Sequence, residues 1–150
     1  MKAIDTNILV YAYDRDSPFF LPASTVLREL SEGLQSWAIP WPCIYEFLRV
    51  MTHPKAIRSP VPIQEAWSDI LLLFQTPSLM LLSETARHPQ IMSSLLKDSP
   101  VTGNLVHDAH IAALLMEHGV GEIITADHDF RRFPQLTVTN PFQVETYPDR

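Results

Sequence analysis

Asp5, Glu46, Asp108, Asp127 and Asp129 are acids set in or beside apolar stretches of this 150-residue chain. The clearest case is IITADHDF, Ile123 to Phe130, where two isoleucines read as a buried strand. Asp127 and Asp129 then follow with no lysine or arginine among them. Two carboxylates about 5 Å apart repel by roughly 3 kcal/mol at an effective dielectric of about 20. If several gather, they need counter-charge, and oxygen-only ligands select a hard cation, Mg²⁺ or Mn²⁺. Such an ion polarises a phosphodiester and activates a water for hydrolysis.

Each acid also has a plainer explanation. Asp5, in DTN, can cap a helix that begins near Ile8, and Asp127 and Asp129 can form an ordinary turn. Glu46 lies away from the face made by Ile44, Phe47, Leu48 and Met51, so an exposed pair with Arg49 at i,i+3 accounts for it. Asp108 resists this treatment. On a helical wheel it flanks a stripe of Leu105, Ala109, Ala112 and Met116, and a carboxylate facing a core needs a partner. The helix dipole offers a first-turn acid at most about 1 kcal/mol, which is small against that cost.

The elements that must position these acids follow from periodicity. Short apolar strands are expected at Lys2–Asp5, SWAIP, LMLL and EIIT, with a weaker one at LTVT. Helices are expected at TNILVYAY, LPASTVLRELSEGL, PCIYEFLRVMT, IQEAWSDILLLFQ, HPQIMSSLLKD and NLVHDAHIAALLMEHG. The last has Asn104 as its expected N-cap and Gly119 as its C-cap. Alternation of this kind predicts a three-layer α/β/α fold around a parallel sheet of four to five strands. Ligands of such sheets bind beyond the carboxyl ends of the strands. Asp5 and Asp127 both fall at that edge.

Composition sets the outer limits. The length suits one domain, residues 1–150, and 46% hydrophobic with 19% charged residues is a globular balance. The opening MKAIDTNILVYAYD is read as no signal peptide, and the apolar runs are too short to span a bilayer. The lone Cys43 fits a reducing, cytoplasmic setting and is expected to be inert within an apolar helix. The net charge of −6 argues against charge-driven nucleic-acid binding, unless bound cations line the site.

Four segments, in this order, resemble the PIN-domain nucleases, specifically the VapC-type toxins of toxin–antitoxin pairs: MKAIDTNILVYAYD, YEFLRV, VHDAHIAALLMEHGV and IITADHDFRRFPQLTVTNPF. The resemblance covers nearly the whole chain. It places the family's acidic quartet on Asp5, Glu46, Asp108 and Asp127, with Asp129 at a frequent additional acid, and overturns the plain reading of Glu46. Asn7 and Thr125 match supporting polar positions. It implies a Mg²⁺-dependent endoribonuclease, usually dimeric, inhibited by an antitoxin and acting on single-stranded or loop RNA such as transfer or ribosomal RNA. Arg15, Arg131 and Arg132 are candidates to position the RNA backbone, with solvated surface charge as the alternative.

Other signals are weaker. His107 and His110 fall on the polar side of their helix, away from Asp108, and no third residue has zinc spacing. No phosphate loop, dinucleotide loop or G-x-S-x-G elbow is present. Two rivals remain. A phosphatase with an aspartyl nucleophile would carry a second aspartate two residues after the first, where this chain has Asn7. A non-catalytic module would keep the fold without needing the acids.

Overall fold

The computed structural model describes residues 1–142. Chain order gives β1 (Lys2–Ile4), α1 (Thr6–Tyr13), α2 (Phe20–Glu32), β2 (Trp37–Pro40), α3 (Trp41–Met51), α4 (Ile63–Leu73), β3 (Leu79–Leu82), α5 (His88–Asp98), α6 (Leu105–Glu117), β4 (Glu122–Ile124) and β5 (Thr137–Thr139). A 3₁₀ helix, His128–Arg132, joins β4 to β5. The predicted alternation holds throughout, and the weak fifth strand is present.

The sheet has five strands in the order β3-β2-β1-β4-β5, all parallel. The expected three-layer architecture follows from that order. The links β1 to β2 and β2 to β3 step the same way, so right-handed crossovers carry α1 to α4 over one face. The link from β3 to β4 steps back across two strands and carries α5 and α6 over the other. Helix contacts agree: α1 packs on α2 and α3, α3 on α4, and α5 on α6. β2 is buried along its whole length, whereas the edge strands β3 and β5 are partly exposed. The core between the layers includes Ile4, Ile8, Trp37, Ile39, Phe47, Ile70, Ala112, Leu115, Ile123, Phe130 and Phe133.

Two expected caps differ in detail. Asn104 precedes α6 in a helical conformation (φ −63°, ψ −20°) and makes no side-chain cap bond. Its backbone has already turned, so the side chain cannot reach the free N–H groups. The C-cap is His118, and Gly119 follows it at φ +68°, the left-handed position after a helix end that favours glycine. α6 is also buried more widely than one stripe: Ile111, Ala113, Leu114 and Leu115 are covered along with Ala109 and Ala112. Among the described residues no helix is long and apolar enough to cross a membrane.

Candidate active site

β1 and β4 are neighbours although they come from opposite ends of the chain, with Ile4 in register with Ile124. Asp5 and Thr125 therefore leave the sheet side by side. The Asp5 backbone N–H donates to the Ile124 carbonyl at 3.1 Å, continuing the ladder by one bond. Asp5 is 6% exposed and serves two purposes. Its Oδ1 caps α1 by accepting from the Thr6 N–H at 2.7 Å, while Oδ2 accepts from Thr125 Oγ1 at 2.8 Å and Asn7 Nδ2 at 3.2 Å. The expected helix cap is thus made by one oxygen, while the other is turned to Thr125 and Asn7.

Asn7 and Thr125 form a small lattice around this carboxylate. Asn7 Nδ2 donates to Thr125 Oγ1 at 3.0 Å, and Asn7 Oδ1 accepts from the Ala126 N–H at 3.1 Å. Thr125 Oγ1 also accepts from the Asp127 N–H at 3.0 Å. The turn that follows is thereby fixed to β1. Asp127 then caps the 3₁₀ helix, its Oδ1 accepting from the Asp129 N–H at 2.8 Å. Cys43 intrudes here as well. It is buried at the start of α3, and its thiol points at Asp5 Oδ1 over 3.7 Å. Burial raises the thiol's pKa well above normal, so it is no nucleophile. It does touch the site, which the apolar context of its sequence gave no sign of.

Asp108 completes the arrangement from the first turn of α6. Carboxylate oxygens of Asp108, Asp127 and Asp129 all lie within 4.8 Å of one another. Burial and the neighbouring charges of Asp127, Asp5 and Asp129 push the Asp108 pKa up to about 7, with Arg132 opposing them. Burial likewise raises Asp5, offset by its hydrogen bonds from Thr125 and Thr6 and reinforced by Asp127. Raised pKa values at both Asp5 and Asp108 mark carboxylates gathered without enough positive charge. Their donors are all oxygen, which suits a hard divalent cation.

Asp5, Glu46, Asp108, Asp127 and Asp129 all line one cleft of about 660 Å³, together with Asn7, Arg49, Asn104, His107 and His110. Glu46 stands on its wall, outside the close group, and is held by Arg49 at 2.6 Å with both side chains largely exposed. The plain i,i+3 pairing and the cleft position are thus both seen. Asp129 is closer to the centre than Glu46. Arg15 and Arg131 are exposed and, like Arg132, are absent from the cleft lining. Arg132 instead binds the Asp129 carbonyl at 3.1 Å and lies 3.7 Å from its carboxylate. Arg49, which shares a face with Glu46, is the arginine that lines the cleft. His107 and His110 also line this cleft, and His110 turns its Nε2 to Glu84 at 2.6 Å.

Residues 2–136 match the family described as the PIN domain. Ribonuclease VapC48 of Mycobacterium tuberculosis is 30% identical over 94% of this chain and 97% of its own length. Ribonuclease VapC37 of the same organism is 32% identical over the same shares. Among solved structures, a chain of the VapBC2 complex from Rickettsia felis, bound to a promoter DNA fragment, superposes with a TM-score of 0.65. It is 20% identical and the match covers 93% of this chain and 97% of that one, a likeness of fold.

Proposed function

This chain belongs to the PIN-domain family, and on that premise we propose that it is a Mg²⁺-dependent endoribonuclease, the toxin of a toxin–antitoxin pair. The supporting observation is the meeting of Asp108, Asp127 and Asp129 within 4.8 Å beside the buried Asp5. Asp108, Asp127 and Asp5 hold the ion, with Mn²⁺ as an alternative and Asp129 within reach. The bound ion supplies positive charge to the scissile phosphate and acidifies a water.

The remaining roles belong to the chain itself. Thr125 and Asn7 orient Asp5 so that its carboxylate keeps one position. Glu46 completes the shell or orients the attacking water, for which it must part from Arg49. That exposed pair is weak enough to open, since such pairs contribute about 0–1 kcal/mol. Once released, Arg49 can meet an RNA phosphate at the cleft wall. Cations in the cleft reconcile a net charge of −6 with a polyanionic substrate.

The substrate is single-stranded or loop RNA, such as transfer or ribosomal RNA. The partner is a cognate antitoxin, as the Rickettsia felis neighbour was solved in a VapBC complex. Exposed Leu21, Leu34, Leu71 and Leu72 give apolar surface for that partner or for a homodimer. All of residues 1–150 serve as one PIN domain acting in the cytoplasm.

The test is incubation of the purified protein with RNA in Mg²⁺ and in EDTA, joined to mapping of transcript ends after induced expression. Cleavage at defined sites only with the metal is expected. Turnover of a small phosphate ester with RNA left intact would replace this reading with the phosphatase one.

A further inference from the structure

A buried carboxylate outside the cleft has no part in the chemistry above. Glu117, near the end of α6, is 4% exposed, with its side chain fully covered. Its Oε1 accepts from the Thr85 N–H at 2.9 Å and Thr85 Oγ1 at 2.8 Å, and its Oε2 lies 2.5 Å from His88 Nδ1. With Nδ1 turned onto the Glu117 carboxylate, His88 keeps Nε2 for another partner. Carboxylates fix metal-binding imidazoles in this way.

What lies beside His88 has matching chemistry. The His88 and His110 rings meet edge to face, with centroids 5.5 Å apart. His110 Nε2 lies 2.6 Å from Glu84 Oε1. A ring nitrogen of each histidine and a carboxylate oxygen of Glu84 fall within 4.8 Å of one another. Two imidazoles and one carboxylate make a borderline donor set, suited to zinc and poorly suited to magnesium. Zinc bonds of about 2.0–2.1 Å require the Glu84 and His110 donors to separate slightly and His88 to approach. Glu84 is exposed, which leaves its side chain room to adjust.

We propose that Glu84, His88 and His110 form a second divalent site, selective for zinc-class ions, in which Glu117 orients His88. The ion would clasp the β3–α5 connection and α5 onto α6, two residues beyond Asp108. The site does not depend on the nuclease reading. The sequence hid it because Glu84 and His88 are remote from His110 along the chain and show no zinc spacing.

The test is titration of metal-stripped protein with Zn²⁺ by calorimetry, and with Co²⁺ by visible absorption, which reports nitrogen and oxygen donors. Wild type should take up a single tight equivalent of zinc and show a rise in Tm. Glu84→Gln, a surface change that spares the fold, should weaken zinc about tenfold or more, and His110→Asn should abolish the tight phase. Asp127→Asn should retain it, which separates this site from the cleft. Equal zinc affinity in wild type, Glu84→Gln and His110→Asn would overturn the proposal. So would loss of the tight phase in Asp127→Asn alone, or its absence from wild type.

Discussion

Thr125 Oγ1 donates to Asp5 Oδ2 at 2.8 Å, tying together two residues 120 positions apart at the ends of adjacent strands. Thr125 is fully buried and its hydroxyl also accepts from Asn7 Nδ2 and the Asp127 N–H. Thr125→Val keeps the shape and removes every one of these bonds. The expected loss is about 1–3 kcal/mol in urea-induced unfolding, with RNA cleavage reduced because Asp5 and Asp127 lose their common anchor. An unchanged midpoint and unchanged cleavage would show that the hydroxyl positions nothing.

Asp108→Asn and Asp5→Asn separate the enzyme from the non-catalytic module. Each should abolish RNA cleavage while the fold persists. Mg²⁺ at about a hundred times its dissociation constant should stabilise wild type by about 2.7 kcal/mol. Both variants should respond less. Equal melting shifts in all three proteins would mean that these carboxylates do not hold the ion.

The acids of the cleft make a pH prediction whose sign is definite. Asp108 titrates at about 7 in the folded protein without metal, against an ordinary value of 3.8. Between those values the folded state holds more protons than the unfolded one, so stability falls as pH rises through the window. Asp5, also raised, acts in the same direction. Metal-free wild type should therefore melt higher at pH 5 than at pH 8, as seen by calorimetry. Asp108→Asn should flatten that slope, and a slope equal to wild type would disprove the assignment.

Glu117→Ala removes the partner of His88 and both bonds to Thr85. Breaking one side of a buried pair typically costs about 3–5 kcal/mol. We expect a loss near the lower figure, because His88 is partly exposed and can be hydrated. Chemical denaturation measures it directly, and a loss within error of zero would show that the pair has no structural weight.

Gly119 sits at φ +68° with open space where a Cβ would stand. Gly119→Ala should therefore destabilise through backbone strain alone, by about 1–2 kcal/mol in thermal unfolding. A clash is not available as an alternative cause.

Most of the architecture was legible because strands such as LMLL and helices such as TNILVYAY end on clear chemical boundaries, and both match their predicted limits. The edge carrying Asp5 and Asp127 followed from their places at the carboxyl ends of parallel strands. α6 is buried on several sides, so a single stripe of Leu105, Ala109, Ala112 and Met116 understated its packing. Periodicity found the Glu46–Arg49 pair, yet could not place it on the cleft wall, since that depends on how α3 leans over the sheet. Cys43 against Asp5, and Glu117 against His88, are contacts between separate elements. Local pattern carries no record of them.

The order β3-β2-β1-β4-β5 has a temporal consequence during synthesis. The strand that leads into Asp5, β1, is made well before its neighbour β4, with α1 to α6 between them along the chain. A nascent chain that stops short of Thr125 has neither that anchor hydroxyl nor Asp127 and Asp129. The acids of the cleft therefore come together only once β4 has paired with β1, an order of events written into the strand arrangement.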